Sequence, residues 1–254
     1  CNILFKVFPN CYLESFKNLK HKVKKQFFPL NPQLIYTCNN YDTDEVFKFY
    51  ASQKIKENCK YIIGQHGGAS LLTSYQVSEN HILNYSDLHI TWGWQTISKT
   101  TKAFLFPKLT KPKFVGDKIS YLVRPPHNMI KTWDLYQEMI SEFNNDVELI
   151  QKITQKKIKI QIRIHPKDSE WNFQTKQRWL ERMPKIDIDD SKTQFNKYKN
   201  KCKIAIFTWM STGFLQLLNI DRPTILLLRN FDFVIKDKYK KILNDLEKVG
   251  ILHK

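Results

Sequence analysis

The sequence predicts an α/β fold with two successive Rossmann-like units, each a parallel sheet covered by helices. Short apolar runs alternate with longer amphipathic segments along the 254 residues, and this alternation is typical of βαβ units. It is interrupted once, at 105–118, where two prolines, one glycine and four lysines occur without periodicity. We therefore expect a first domain over 1–110 and a second over 118–254, joined by this linker and facing a cleft.

The first unit is predicted from three short apolar runs and one helical segment. Strands are expected at 32–38, 60–64 and 86–93. A helix is expected over 42–59, where Asp42 or Thr43 would form the cap. Acidic residues in its first turn suit the positive end of the helix dipole, so Asp44 and Glu45 are also interpreted as capping acids.

The second unit repeats the alternation more often. Strands are expected at 118–125, 156–166, 185–189, 202–208 and 223–228. Helices are expected at 128–154, 172–183, 191–201, 212–220 and 233–250; Ser191 would open the third of them and Gly250 would close the last. Ligands of such sheets bind outside the carboxyl ends of the strands, so residues that follow a strand are the first candidates for function.

The net charge of +17 narrows the classes of partner. Only six of the 41 basic residues are arginines, and no arginine stripe with interleaved aromatic residues occurs, so the sequence disfavours a nucleic acid partner. A nucleotide phosphate or an anionic membrane surface suits the lysine excess better. No run approaches the roughly 20 apolar residues of a membrane span, so we expect a cytoplasmic protein, in solution or peripheral at the inner membrane face.

Two further features of the sequence concern metal sites and chain length. The five cysteines lack the spacing of a zinc site, which indicates thiols in a reducing cytoplasm, and no metal is predicted. The chain starts at Cys1 without a methionine or a leader. We therefore expect a piece of a longer protein, whose first domain is truncated at its N-terminus.

Three of the seven glycines surround one histidine directly after a predicted strand, in the segment GQHGG at 64–68. Glycine tolerates positive φ and the close approach of a ligand or of another backbone. His66 would stay exposed and could take a proton from an attacking hydroxyl. A tight turn with an incidental histidine is the alternative interpretation.

Two groups of side chains flank this segment along the chain. Glu79, His81 and Asp87 form a second polar group, which is expected to shape an acceptor pocket. Trp92 and Trp94 either stack on a sugar or pack in the core, and packing is favoured.

Two groups follow strands of the second unit. Arg163, His165 and Lys167 surround a proline and supply donors suited to phosphate, although a solvated basic strand end would look the same. The segment STG at 211–213 opens a predicted helix, where hydroxyls and backbone N–H groups form an anion site. Alone it would be an ordinary helix cap. Together the two groups predict one phosphate site.

Four segments resemble the C-terminal half of a family of bacterial transferases assigned to surface-polysaccharide and O-antigen gene clusters: GQHGG, SENHILNYSDLHITWGW, RIHPKDSEW and FTWMSTGFLQLLNIDRPTILL. The resemblance extends from about Tyr36 to Ile251. The HP and STG segments are shared with a wider group, which includes the CDP-glycerol glycerophosphotransferases and the CMP-Kdo and CMP-sialic acid transferases. That group has the two-domain GT-B fold.

This resemblance implies a metal-independent GT-B transferase without a cofactor. It would move a glycosyl or glycerophosphoryl group from a CMP-, CDP- or UDP-linked donor to a lipid-linked or polysaccharide acceptor. His66 would be the general base or lie beside it, with Gln65, Gly67 and Gly68 on the acceptor side. His165 would contact the donor phosphate or assist the leaving group. The implied donor-side set is Arg163, His165, Lys167, Ser211, Thr212, Gly213 and Gln216.

The chain departs from its relatives at Gln216, where they often carry a glutamate. A glutamine can bond a ribose but cannot act as a carboxylate.

Two other functions stay open. A nucleotide-sugar epimerase of the same fold would require acidic catalytic residues, for which few candidates exist. A basic scaffold or nucleic-acid-binding domain would bind DNA or RNA in a salt-dependent manner and would not respond to nucleotides.

Overall fold

The computed structural model describes residues 6–68, 78–95, 99–103, 116–124, 136–168, 173–228 and 235–254. Within these ranges the chain is an α/β protein with two parallel sheets, as the sequence predicts. It forms two compact units, Cys1–His66 with Tyr75–Pro107 and Gly67–Ser74 with Lys108–Lys254. Most of the predicted linker lies outside the described residues, and its last residue, Lys118, already begins a strand.

The described sheet of the first unit follows the order of the chain, β1-β2-β3-β4, and all its pairings are parallel. Its strands are β1 (Leu34–Thr37), β2 (Lys60–Gly64), β3 (Leu88–Thr91) and β4 (Thr100–Lys102). After a 3₁₀ turn at Asn10–Tyr12, its helices are α1 (Phe16–Lys25), α2 (Asn40–Thr43), α3 (Glu45–Lys56) and α4 (Ser78–Tyr85). The three predicted strands are confirmed, whereas α1, α4 and the short β4 were not predicted.

Among the residues predicted to cap the helix after β1, Asp44 is confirmed, whereas Asp42 and Thr43 were wrong. Asp42 and Thr43 lie inside the short helix α2, and the extended backbone of Asp44 (φ −96°, ψ 93°) separates α2 from α3. The Asp44 carboxylate accepts a hydrogen bond from the Phe47 backbone N–H at 2.9 Å and so caps α3. The correct cap is therefore the next acid along the chain.

The sheet of the second unit has the order β10-β9-β8-β5-β6-β7, again with parallel pairings. Its strands are β5 (Lys118–Leu122), β6 (Ile160–Arg163), β7 (Asp187–Asp189), β8 (Cys202–Phe207), β9 (Thr224–Leu227) and β10 (Leu252–His253). Its helices are α5 (Tyr136–Gln155), α6 (Thr175–Arg182), α7 (Phe195–Tyr198), α8 (Thr212–Asn219) and α9 (Asp237–Lys248). This strand order is that of a Rossmann-like sheet, and the order reverses between β5 and β8.

Both faces of this sheet are covered by apolar cores. Neighbouring residues of one strand point to opposite faces, so Tyr121 lies in the core with α5 and α6 while Leu122 lies in the core with α8 and α9. The fully buried Trp179 of α6 and Phe214 of α8 are among the largest side chains of the two cores. The two cores hold the carboxyl ends of β5, β6 and β8 in fixed register.

The predicted helix opening at Ser191 was wrong. Ser191 has a left-handed backbone (φ 60°), and its hydroxyl donates to the Ile164 carbonyl. The helix α7 begins only at Phe195, after the extended residue Gln194. Ser191 therefore belongs to a loop that follows β7. The cap at Ser211 and the closure of α9 at Gly250 (φ 72°) are confirmed.

We expect the first unit to lose stability as the pH falls, because of a buried histidine in β3. His89 is fully buried, and its Nδ1–H donates to the Ile63 carbonyl at 2.9 Å. Its Nε2 has no hydrogen-bond partner among the described residues. Burial lowers the pKa of His89 below the ordinary value of 6.5. As the pH falls, the imidazole is therefore protonated in the unfolded chain before it is protonated in the folded one. The stability that neutral His89 contributes is fully present above about pH 6.5 and is lost as the pH decreases through the folded-state pKa.

Urea unfolding of wild type and His89→Gln at about pH 7.5 and about pH 5 measures this effect. Whatever its absolute stability, the variant should lose less unfolding free energy between the two pH values than wild type does. The exposed His253→Gln serves as the control and should leave the pH dependence unchanged. Equal losses in wild type and His89→Gln would contradict the assignment.

Candidate functional site

A cavity of about 470 Å³ lies at the carboxyl edge of the second sheet. Its walls are residues that end or follow four neighbouring strands, together with the first turns of α8: 122–123, 163–166, 191–195, 207, 209, 211–213 and 216. The cavity spans the point between β5 and β8 where the strand order reverses, which is where open α/β sheets bind ligands. Every predicted donor-side residue except Lys167 lines it.

His165 is held in one orientation by its own turn. The ring follows β6 and is half-buried, and its Nδ1 accepts a hydrogen bond from the Lys167 backbone N–H at 3.2 Å. An acceptor at Nδ1 leaves the hydrogen of the neutral ring on Nε2. His165 can therefore donate from Nε2 even when it is uncharged, and Lys167 contributes its backbone rather than a cavity wall.

The start of α8 forms the opposite wall of the cavity. The Ser211 hydroxyl accepts from the Phe214 backbone N–H at 3.1 Å, so it caps the helix. The N–H groups of Thr212 and Gly213 have no partner within the helix, because the first turn of any α-helix leaves its donors unused. A Cβ on Gly213 would lie 3.1 Å from the Phe195 ring, so glycine allows α8 to approach that wall closely. The helix start thus presents backbone donors and a positive dipole end.

Arg163 braces the loop that follows β7. Its guanidinium is buried, forms an ion pair with Asp189, and donates from Nη2 to the Thr193 carbonyl at 2.7 Å. The same group lies 3.9 Å from the centroid of the Tyr198 ring. Asp189 in turn accepts from the Ser191 backbone N–H at 2.9 Å. Although Arg163 lines the cavity, these contacts make it chiefly a residue that positions the loop at 191–194.

Removing this brace should destabilise the second unit. Arg163→Met leaves the largely buried Asp189 carboxylate without its cation, and breaking a buried ion pair in this way costs about 3–5 kcal/mol of unfolding free energy. The control is Lys152→Met, which removes an exposed pair with Glu148 and should leave the unfolding free energy nearly unchanged. Urea denaturation of both variants measures the difference, and similar losses would contradict the bracing role.

In the first unit, Gln65 locks the Thr-Trp-Gly-Trp segment to the end of β2. The side chain is buried, and its Oε1 accepts from the Trp92 backbone N–H at 2.9 Å and from the Trp94 indole N–H at 2.8 Å. The Gln65 backbone N–H donates to the Ile90 carbonyl of β3 at 2.7 Å. Gln65 therefore acts here as an internal tie, and it leaves its neighbour His66 exposed.

The two glycines after His66 belong to the second compact unit. Gly67 has a φ of 84°, which a residue with a Cβ rarely adopts. A Cβ on Gly68 would lie 2.8 Å from the Ser211 carbonyl oxygen, closer than a real Cβ can approach. Each glycine therefore has its own physical requirement, a left-handed backbone at Gly67 and a close backbone contact at Gly68.

The sequence model of one protein family, described as LIC12162 family transferase, matches residues 1–254. The chain belongs to this family. The predicted class of reaction, group transfer by an enzyme, is confirmed at this level. No curated protein and no solved structure matches the sequence. The relationship to CDP-glycerol and CMP-sugar transferases stays a prediction.

In this LIC12162 family transferase the structure separates Asp87, one member of the second polar group, from Gln65. Asp87 lies before β3, where it accepts from the Tyr61 backbone N–H at 2.8 Å and from Lys60 at 3.2 Å. These contacts lower the pKa of Asp87, the Tyr61 N–H most of all. They place Asp87 at the amino edge of the sheet, whereas Gln65 follows the carboxyl end of β2.

Glu79 and His81 lie in α4 of the transferase. Glu79 is half-buried in the first turn. The His81 ring stacks on Tyr41 with centroids 5.1 Å apart, and burial, together with Lys48, lowers the pKa of His81. The described residues hold no cluster of three or more His, Cys, Asp or Glu side chains able to bind a metal ion. Among the described helices, none is both long and apolar enough to cross a membrane.

Sequence reasoning missed several residues of the transferase cavity. The loop at 191–194 was predicted as helix and was not named as a candidate. It follows the predicted strand at 185–189, and ligands of such sheets bind outside the carboxyl ends of the strands, so this position was the available signal. Lys192 lies at the rim, largely exposed and 3.4 Å from Asp190. Phe195 and Trp209 add aromatic surface. The signal for Trp209 was its position directly after the buried strand β8.

Proposed function

We propose that this transferase moves a glycosyl or glycerophosphoryl group from a nucleotide-activated donor, linked to CMP, CDP or UDP, to a lipid-linked or polysaccharide acceptor. The two units would have the GT-B arrangement, with the donor in the second unit. The observation that carries the proposal is the cavity at the β5/β8 reversal, where His165 and the start of α8 line one space. Its volume of about 470 Å³ suits a small-molecule site.

The donor phosphate would lie between His165 and α8. The Nε2–H of His165 and the backbone N–H groups of Thr212 and Gly213 supply donors without a metal ion, and Lys192 adds positive charge at the rim. Gln216 would bond the ribose through its amide, and the aromatic surface at Phe195 and Trp209 would contact the base. The hydrogen bond from the Arg163 guanidinium to the Thr193 carbonyl would hold the loop at 191–194 around this ligand.

The acceptor hydroxyl would be activated by His66. The imidazole takes the hydroxyl proton while the oxygen attacks the transferred carbon or phosphorus atom, and the bond from that atom to the nucleotide oxygen breaks. Negative charge then develops on the leaving phosphate, where His165 and the start of α8 stabilise it. Exposure of His66 and the open space beside Gly67, where a Cβ would meet no atom within 4 Å, support access by a bulky acceptor.

Calorimetric titration of the full chain with CMP, CDP and UDP tests the donor assignment. We expect at least one nucleotide to bind and, in a separate melting experiment, to raise the melting temperature as the logarithm of its concentration once that concentration exceeds Kd. If none of the three binds, the donor assignment fails. Salt-dependent binding of DNA or RNA in place of nucleotides would favour the scaffold alternative.

A further inference from the structure

We propose that α1 and the loop that follows it form a surface that binds anionic lipid. The surface consists of the exposed lysines of α1 and the two exposed apolar residues Phe27 and Leu30, and we call it the α1 surface. It gives a specific location to the peripheral membrane association that the sequence analysis expects, and its own test does not depend on nucleotide binding.

One face of α1 is basic and the other holds the helix on the protein. Leu19 and Val23 are buried, whereas Lys17, Lys20 and Lys24 are exposed. Residues three and four apart share a helix face, so these lysines form one exposed row that runs beside the buried pair. The segment Phe16–Lys25 contains five lysines and no acidic residue, so the row has no negative neighbour within the helix.

The loop after α1 is fixed from its inner side. The Phe28 ring stacks on Tyr50 with centroids 4.3 Å apart, and the Tyr50 hydroxyl donates to the Pro29 carbonyl at 2.8 Å. Phe27 and Leu30 flank this anchored pair and are almost completely exposed. The anchored loop therefore exposes two large apolar side chains to solvent, directly after the lysines at the end of α1.

The chemistry of the α1 surface fits a lipid headgroup region better than other partners. Lysines near an anionic bilayer each contribute about 1 kcal/mol of attraction, and apolar side chains beside them can insert into the acyl boundary. A nucleic acid would reward arginine and stacking aromatic residues, and Leu30 cannot stack on a base. A symmetric pair of copies would bring two rows of lysines together, which like-charge repulsion opposes.

Sedimentation of the full chain with vesicles tests this proposal. Vesicles that contain phosphatidylglycerol should bind wild type, and phosphatidylcholine vesicles should bind it at least about tenfold less. The triple variant Lys17→Gln/Lys20→Gln/Lys24→Gln should reduce binding at least about tenfold, because glutamine keeps helix propensity while removing charge. Phe27→Ser/Leu30→Ser should reduce it to a similar extent, by about tenfold, through lost apolar burial.

Matched controls lie in the second unit. Lys176→Gln/Lys185→Gln/Lys197→Gln removes the same charge from exposed positions, and Ile242→Ser/Val249→Ser removes exposed apolar side chains. Both controls should bind vesicles like wild type. The proposal is overturned if wild type does not bind, if the controls lose as much binding as the α1 variants, or if the α1 variants instead abolish RNA binding or dimer formation. Nucleotide titration of the α1 variants should match wild type, so failure here is distinguishable from failure of the donor assignment.

Discussion

Replacing His66 with alanine should abolish transfer and leave nucleotide binding nearly unchanged. General base catalysis typically contributes about 10²–10⁴-fold to rate, and His66 is the exposed imidazole of the glycine segment. Every residue that lines the cavity belongs to the second unit, whereas His66 belongs to the first, so the groups proposed to bind the nucleotide stay intact in the variant. Turnover with a nucleotide-linked donor and calorimetric titration of the corresponding nucleotide measure the two quantities separately.

Two controls sharpen the His66 experiment. The exposed His253→Ala should leave turnover unchanged, which excludes a general effect of removing an imidazole. Added imidazole should restore part of the activity of His66→Ala, because the position is accessible to solvent. If nucleotide binding falls as much as turnover, His66 belongs to donor binding and the proposed base is wrong.

Replacing His165 should weaken nucleotide binding, and the choice of substitute should matter. His165→Ala removes a donor to a charged phosphate, a bond worth about 1.5–3 kcal/mol, so affinity should fall about 10- to 100-fold. His165→Asn keeps an acceptor near Nδ1 for the Lys167 N–H but has no group at the Nε2 position. His165→Gln can place its amide donor near the Nε2 position. We therefore expect the glutamine variant to retain more affinity than the asparagine variant.

Calorimetric titration of the three variants decides between two roles for this ring. If His165 contacts the phosphate, the order of affinity is wild type, His165→Gln, His165→Asn. If the ring only stabilises the turn at Lys167, the asparagine variant should bind as well as wild type, since it preserves that hydrogen bond. The second result would remove His165 from the phosphate site.

The strands and the helix cap at Ser211 could be predicted because their signals are local. A buried parallel strand needs a short apolar run, and KYIIG at 60–64 becomes β2 without any shift of its ends. Ser211 could be predicted as a cap because it lies between an apolar strand and an apolar helix, and serine is a strongly preferred N-cap residue. The carboxyl-end rule then located the cavity of the second unit from strand positions alone.

The remaining features depend on contacts between residues far apart in the chain. Asp87 was grouped with His81 by sequence proximity, yet its carboxylate is used by the Tyr61 N–H, 26 residues away. Ser191 has the composition of a helix cap, but its left-handed backbone and its bond to Ile164 place it in a loop. The pair Leu252–His253 is too short to show any periodicity, and only its pairing with β9 makes it a strand.

Arg163 holds the loop after β7 in place without using the side chains of that loop. Arg163 holds the loop after β7 through the main-chain carbonyl of Thr193 and the Asp189 carboxylate. No side chain at 192–194 takes part in these bonds, so substitutions there leave the scaffold intact. Under the proposed function, substitutions of Lys192 and Gln194 would therefore change which nucleotide-linked donor is preferred, while the loop keeps its shape. An engineer seeking a new donor specificity would accordingly randomise 192–194 and leave Arg163 and Asp189 untouched.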